Sequence, residues 1–194
     1  MLQRLCIFCG SSPGNSPAFQ QAAENLAETM AQSGIGLVYG GAQVGLMGSI
    51  ADACLKRGVE VVGIIPGALF PREIPHQGLT QLHVVDSMHE RKQKMYELSD
   101  AFVALPGGIG TLEELFEILT WGQLGLHAKP CGLLNVQGYY DKMLEFLDGA
   151  VGHGFLKAKH RALLLSDPEP ARLLKKLQEY RPPAGTKWIE KGET

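Results

Sequence analysis

Short apolar runs bounded by glycine or proline alternate with longer amphipathic stretches from one end of the chain to the other. Runs at 4–9 (RLCIFC), 36–39 (GLVY), 60–65 (EVVGII), 80–85 (TQLHVV), 101–105 (AFVAL) and 131–136 (CGLLNV) predict strands, and ALLLS near 162–166 predicts a final edge strand. Helices are expected near 16–33, 44–57, 88–98, 111–124, 139–152 and 168–179. Continuous β-rich runs are what strands buried on both faces look like. Strand–helix alternation implies parallel pairing through right-handed crossovers. The expected fold class is α/β: a doubly wound, mostly parallel sheet of modified Rossmann-like type, with helices on both faces.

Local chemistry marks several boundaries. Asn15 or Ser16 can cap the first long helix, Pro17 fits its first turn, and Gly34 can take the left-handed conformation that ends it. Asp167 and Pro168 mark the start of the last helix. Beyond Tyr180 the sequence turns proline- and charge-rich and loses its period, with Trp188 as its one strong apolar anchor. The expected organisation is one domain over 1–180 and a C-terminal tail over 181–194.

A length of 194 residues, with 45% hydrophobic and 20% charged, suits such a domain and its core. The net charge of −2 gives no global pull towards nucleic acid or an anionic membrane. No apolar run approaches the roughly 18–20 residues of a membrane span, and MLQRLCIFCGSS lacks a signal-peptide layout. A cytoplasmic location is expected. Cys6 and Cys9 form a C-x-x-C, but residues three apart on a strand point to opposite faces, so the two thiols should not meet. The histidines show no H-x-x-x-H or H-E-x-x-H spacing. No metal and no cofactor is expected.

Three glycine-bearing loops follow separate strands: CGSSPGN (9–15), YGGAQVGLMG (39–48) and LPGGIGT (105–111). Ligands of open α/β sheets bind where strands end and helices begin, so three such loops suggest convergence on one phosphorylated ligand. None has the G-x-G-x-x-G or P-loop spacing. At 107–111, backbone N–H groups and the Thr111 hydroxyl can cradle a single phosphate at a helix N-terminus. Arg91 and Lys92 in SMHERKQKM (87–95) stand near another helix start, where the dipole disfavours cations. An anionic ligand or a facing carboxylate would account for them.

At these residues the sequence resembles a known family. Pro106-Gly107-Gly108-Ile109-Gly110-Thr111-Leu112-Glu113-Glu114 is similar to the P-G-G-x-G-T-x-x-E signature of the LOG ("lonely guy") family of cytokinin riboside 5′-monophosphate phosphoribohydrolases. Met88-His89-Glu90-Arg91-Lys92 resembles its M-x-x-R-K segment. Gly40-Gly41-Ala42 with Gly45-Leu46-Met47-Gly48 resembles its first glycine stretch, with Ala42 where many members have a third glycine. The likeness runs over roughly 4–180 and includes WGQLGLHAKPCGLLNVQGYY (121–140).

The resemblance implies hydrolysis of the N-glycosidic bond of a nucleoside 5′-monophosphate, giving free base and ribose 5-phosphate, with Arg91 and Glu114 as the catalytic pair. It implies phosphate binding by Gly107, Gly108, Gly110 and Thr111, and a substrate lined by Glu73, Met88, Lys92 and Thr120. Ser12 and Gly41 join this set from the first two loops, and Ile109 and Glu113 from the third. It further implies a homodimer. Members are often labelled lysine decarboxylases, but no loop here pairs a lysine with a pyridoxal phosphate site.

Physical reasoning supports some of these roles. Glycosidic cleavage builds positive charge on the ribose, which a nearby carboxylate stabilises. Glu114, four residues beyond Gly110, shares the loop's side of the helix, while Glu113 is turned by about 100° towards Glu117. Helix phase therefore gives Glu113 and Glu117 the role of acids that suit the dipole and face solvent. Arg91 can act on the departing base or hold Glu114 ionised, and sequence leaves both open. Two further readings stand beside the cytokinin one: a general purine nucleoside 5′-monophosphate salvage hydrolase, and a non-catalytic nucleotide-binding protein.

Overall fold

Leu5, Cys6, Ile7 and Phe8 are all buried, as a strand covered on both faces requires. They lie on β1 (Arg4–Phe8), at the middle of the sheet. The computed structural model describes residues 2–69 and 74–183. Strands β2 (Gly36–Tyr39), β3 (Val61–Pro66), β4 (Gln81–Val85), β5 (Ala101–Ala104), β6 (Cys131–Leu134) and β7 (Leu164–Asp167) complete it in the order β4-β3-β2-β1-β5-β6-β7. Every pairing is parallel. The strand order reverses at β1, whose neighbours β2 and β5 carry the chain away in opposite directions.

Helices α1 (Pro17–Gln32), α2 (Gly45–Leu55) and α7 (Pro170–Glu179) pack on one face; α3 (Met88–Glu97), α4 (Ile109–Leu124) and α5 (Asp141–Gly152) pack on the other. Strand alternation divides the core between them. Leu5, Ile7 and Cys9 join the first cluster, Cys6 and Phe8 the second. Cys6 and Cys9 thus sit on opposite sides of the sheet, and all four cysteines are free and buried.

The caps explain most of the boundaries. Ser16 accepts the Ala18 N–H with Pro17 following, and Gly34 at φ +65° closes α1, with Ile35 N donating to Met30 O at 3.0 Å. Ser87 accepts the Glu90 N–H while Glu90 accepts the Asp86 N–H, pinning the start of α3. The last helix begins at Pro170 rather than 168, because Asp167 ends β7 and accepts the Glu169 N–H at 2.9 Å. A short helix, α6 (Ala158–Arg161), falls in a stretch too brief for the helical period to register. The strand expected over 131–136 stops at Leu134, where a turn with Gln137 at φ +52° leads into α5.

Candidate active site

At the reversal of strand order the three glycine loops touch. Gly10 N donates to Pro106 O at 3.1 Å, joining the first loop to the third, and Leu46 N donates to Gly10 O at 3.1 Å, joining the second to the first. Two glycines are required by this crowding. Gly45 has φ +55° and its missing side chain would strike the Ser11 backbone; a side chain on Gly107 would run into Thr111 and the Gly10 nitrogen. The second loop is also tied from behind, Gln43 N donating to Ile74 O and His76 N to Gly41 O.

The loops enclose a cleft of about 420 Å³ whose wall includes Cys9, Ser11, Gly40, Met47, Leu69 and Met88, together with Arg91 and residues of the first turns of α4. Grooves of about 490 and 700 Å³ lie at the opposite, amino ends of the strands. The first of these has its Arg4 guanidinium taken by Glu60 at 2.9 Å. Chemistry rather than volume distinguishes the cleft.

Helix α4 starts at Ile109, two residues earlier than expected, so Gly108 is its N-cap and supplies no side-chain cap. The N–H groups of a first helical turn have no intrahelical acceptor. Here they open at the cleft, where the dipole favours an anion. Gly108 and Gly110 are exposed and Ile109 is 84% exposed. Thr111 is buried, its side chain packed against Gly107, so it props the loop as well as reaching the cleft wall.

Across the cleft stands Arg91, 6% exposed on α3. Gly40 makes room for it, since any side chain there would overlap the Arg91 guanidinium. Arg91 Nη2 lies 3.9 Å from Glu114 Oε1, and Nη1 donates to Met88 Sδ at 3.8 Å. Its Nε is buried with no hydrogen-bond partner among the described residues. Burying a cation carries a desolvation cost that one ion pair need not repay, so stability alone does not account for its position. Burial, and then the charge of Glu114, push the Cys9 thiol up despite Arg91, leaving it protonated and inert.

Several expected site residues stand elsewhere. Lys92 does not line the cleft: its ammonium bridges Glu113 at 2.5 Å and Glu117 at 3.0 Å, clamping α3 to α4. Burial works against that charge, but the two carboxylate bonds outweigh it and raise the Lys92 pKa. Glu113, which lines the cleft wall and is half-exposed, and Glu117 are therefore ion-pair partners of Lys92 as well as acids near the helix start. They are also the facing carboxylates that the cations of α3 called for. Thr120 is exposed down the helix and donates to Phe116 O. Ser12 accepts the Gly14 N–H while Ser11 faces the cleft. Gly41, at φ +79°, packs against Ile64 and Ile65 rather than opening to the cleft. Glu73 lies outside the described residues. Gly40, Met47, Cys9 and Leu69 were not foreseen; the double glycine at 40–41 was the one signal, and only the fold shows which of the pair faces Arg91.

A family model described as "Possible lysine decarboxylase" matches residues 47–177. A probable cytokinin riboside 5′-monophosphate phosphoribohydrolase of Oryza sativa subsp. japonica is 50% identical over 181 residues, 93% of this chain and 74% of that protein. A cytokinin riboside 5′-monophosphate phosphoribohydrolase of Arabidopsis thaliana is 48% identical over 180 residues, 93% of this chain and 83% of that one. Among solved structures, the molybdenum cofactor binding protein of Rippkaea orientalis superposes with a TM-score of 0.69 over 92% of this chain and 96% of that one, at 19% identity. The molybdenum cofactor carrier protein of Chlamydomonas reinhardtii does so at 0.69 and 19% over 93% and 100%. Those two share the fold. The sequence likeness is of another order, about half of the residues being identical over 93% of this chain: the chain belongs to the cytokinin riboside 5′-monophosphate phosphoribohydrolase (LOG) family.

Proposed function

We propose that this chain hydrolyses the N-glycosidic bond of cytokinin riboside 5′-monophosphates, releasing the free base and ribose 5-phosphate. The observation that carries this reading is a buried arginine facing a carboxylate at 3.9 Å, beside a helix start whose N-cap is glycine. In this reading the first turn of α4 takes the 5′-phosphate, and Glu114, one turn further on, stands by the ribose. Breaking the C1′–N bond places positive charge on the sugar, which the Glu114 carboxylate stabilises. Arg91, its guanidinium 3.9 Å from the Glu114 carboxylate, holds that group in place. Phosphate binding, remote from the breaking bond, positions the sugar.

The decarboxylase description does not fit these residues. A Schiff-base lysine needs a lowered pKa, no lysine lines the cleft among the described residues, and the adjacent Lys92 has its charge reinforced by two carboxylates. AMP shares the phosphate and ribose and is proposed as a second substrate. We further propose a homodimer, supported by the edge strand β4, which leaves Leu82 and Val84 exposed. A cytoplasmic setting is proposed as well, supported by four free cysteines.

The test is incubation with isopentenyladenosine monophosphate and with AMP, assayed for ribose 5-phosphate. Release from the first is expected, with release from AMP a separate result. No product from either substrate, alongside tight binding, would leave a non-catalytic nucleotide binder.

A further inference from the structure

The phosphate-binding reading explains which way the N–H groups of the third loop face, but not what makes them face that way. A peptide unit can direct its N–H at a ligand only while its carbonyl stays turned the other way. In this loop each carbonyl from 105 to 108 has a partner. Leu105 O accepts from Tyr140 Oη at 2.6 Å, Pro106 O from Gly10 N at 3.1 Å, Gly107 O from Tyr139 Oη at 2.6 Å, and Gly108 O from Leu112 N at 3.1 Å. Two of the four donors are the hydroxyls of adjacent tyrosines.

The turn between β6 and α5 is built to deliver those hydroxyls. Gln137 adopts φ +52°, a conformation that costs a non-glycine residue, and Gly138 follows at φ +70°. Asn135 clasps the turn, accepting from Tyr140 N at 2.8 Å and donating to Asp141 Oδ1 at 2.7 Å. The two tyrosine rings meet edge to face at 4.9 Å. They differ in burial. Tyr140 is 2% exposed and belongs to the core, whereas Tyr139 is 47% exposed and rests its ring edgewise on Phe19 at 5.9 Å. Phe19 in turn lies over Gly14 of the first loop, in contact with the space a side chain there would need.

We infer that Tyr139 is a positioning residue: its hydroxyl fixes the Gly107 carbonyl and its ring braces Phe19, so that the first and third glycine loops hold one separation around the phosphate. This rests on the reading of α4's start as the phosphate site. The consequence is specific to the phosphate end of the ligand. Without the hydroxyl, the 107–108 peptide is free to turn, and the cradle loses its preorganised N–H donors.

Tyr139→Phe keeps the ring and removes one half-exposed hydroxyl, so its melting temperature should match that of the parent. Tyr140→Phe, which strips a donor from a buried carbonyl, should melt lower. Calorimetry with ribose 5-phosphate is expected to show about five- to tenfold weaker binding by Tyr139→Phe, the size of one lost hydrogen bond. KM for the nucleotide should rise in step, while kcat changes by less than about twofold and inhibition by the free base is unmoved. Equal ribose 5-phosphate affinity in the parent and Tyr139→Phe overturns the inference, as does an equal loss of free-base and ribose 5-phosphate binding. If the parent releases no product yet binds ribose 5-phosphate better than Tyr139→Phe, the tether stands and the hydrolase reading falls. If the parent does not bind ribose 5-phosphate, the inference is overturned.

Discussion

Each side chain at the cleft is defined by what its neighbour lacks. Arg91 occupies the space that a side chain on Gly40 would fill, and it meets Glu114 from a different helix. Glu114→Gln keeps the shape and removes the charge. Turnover should fall by about 10²–10⁴, the usual range for losing one charged catalytic group, with ribose 5-phosphate binding retained; a near-full rate in single-turnover assays would remove Glu114 from the mechanism. Gly40→Ala adds one methyl group at the cleft wall and forces the guanidinium out of its seat. Its kcat should drop at least about tenfold, the scale expected for displaced catalytic groups, with a far smaller change in thermal stability. Neither residue's importance can be found by inspecting it alone, since Gly40 matters only because Arg91 lies there.

Helices α3 and α4 carry the two halves of the proposed catalytic pair, and Lys92 holds them together through Glu113 and Glu117. Lys92→Met would leave two carboxylates one turn apart on the same helix face without a counter-charge. A stability loss of about 1–2 kcal/mol is expected, between the values for exposed and buried pairs. A larger fall in kcat than in ribose 5-phosphate affinity should accompany it. Denaturant melts and steady-state kinetics check both. The far end of α4 offers a pH test. His127 Nε2 bonds Ile118 O at 2.8 Å and Nδ1 accepts the Lys129 N–H at 3.1 Å, so the ring must stay neutral. Burial lowers its pKa below the ordinary 6.5, helped by the Lys129 charge and opposed by those backbone bonds. The unfolded chain therefore binds the proton first: this contribution is complete above pH about 6.5 and is lost as pH falls towards the lower folded value. The melting temperature should decline on acidification below that point, and less steeply in His127→Gln. Equal slopes would remove His127 as the cause.

At the scale of the whole molecule, the reversal of strand order at β1 brings Gly10 into hydrogen-bond contact with both Leu46 and Pro106, joining three loops far apart in the chain. The edge strand β4 lies at one margin of the same sheet with Leu82 37% and Val84 57% exposed. If a second copy covers this edge, the melting temperature should rise with protein concentration, and a lysine at Val84 should shift light-scattering mass towards the monomer while the fold persists. A concentration-independent melt with a monomer mass at all dilutions would remove the homodimer.

The amino-acid sequence by itself determined the strand–helix alternation, the parallel sheet and the three glycine loops, because burial on both faces and φ-permissive turns leave direct traces in residue type. It also placed Arg91 and Glu114 in motifs that carry the family likeness. Other features were settled only by tertiary structure. Lys92 reads as a ligand-facing cation until α4 brings Glu113 and Glu117 to it, across separations of 21 and 25 residues. Thr120 and Ser12 sit near the right motifs but turn to local backbone partners. Tyr139 read only as part of the family-like stretch 121–140 until the turn at Gln137 set its hydroxyl on Gly107, 32 residues away. Periodicity reports which face of an element is buried. Which element lies opposite is decided by the order of strands, and that order is written in no local pattern.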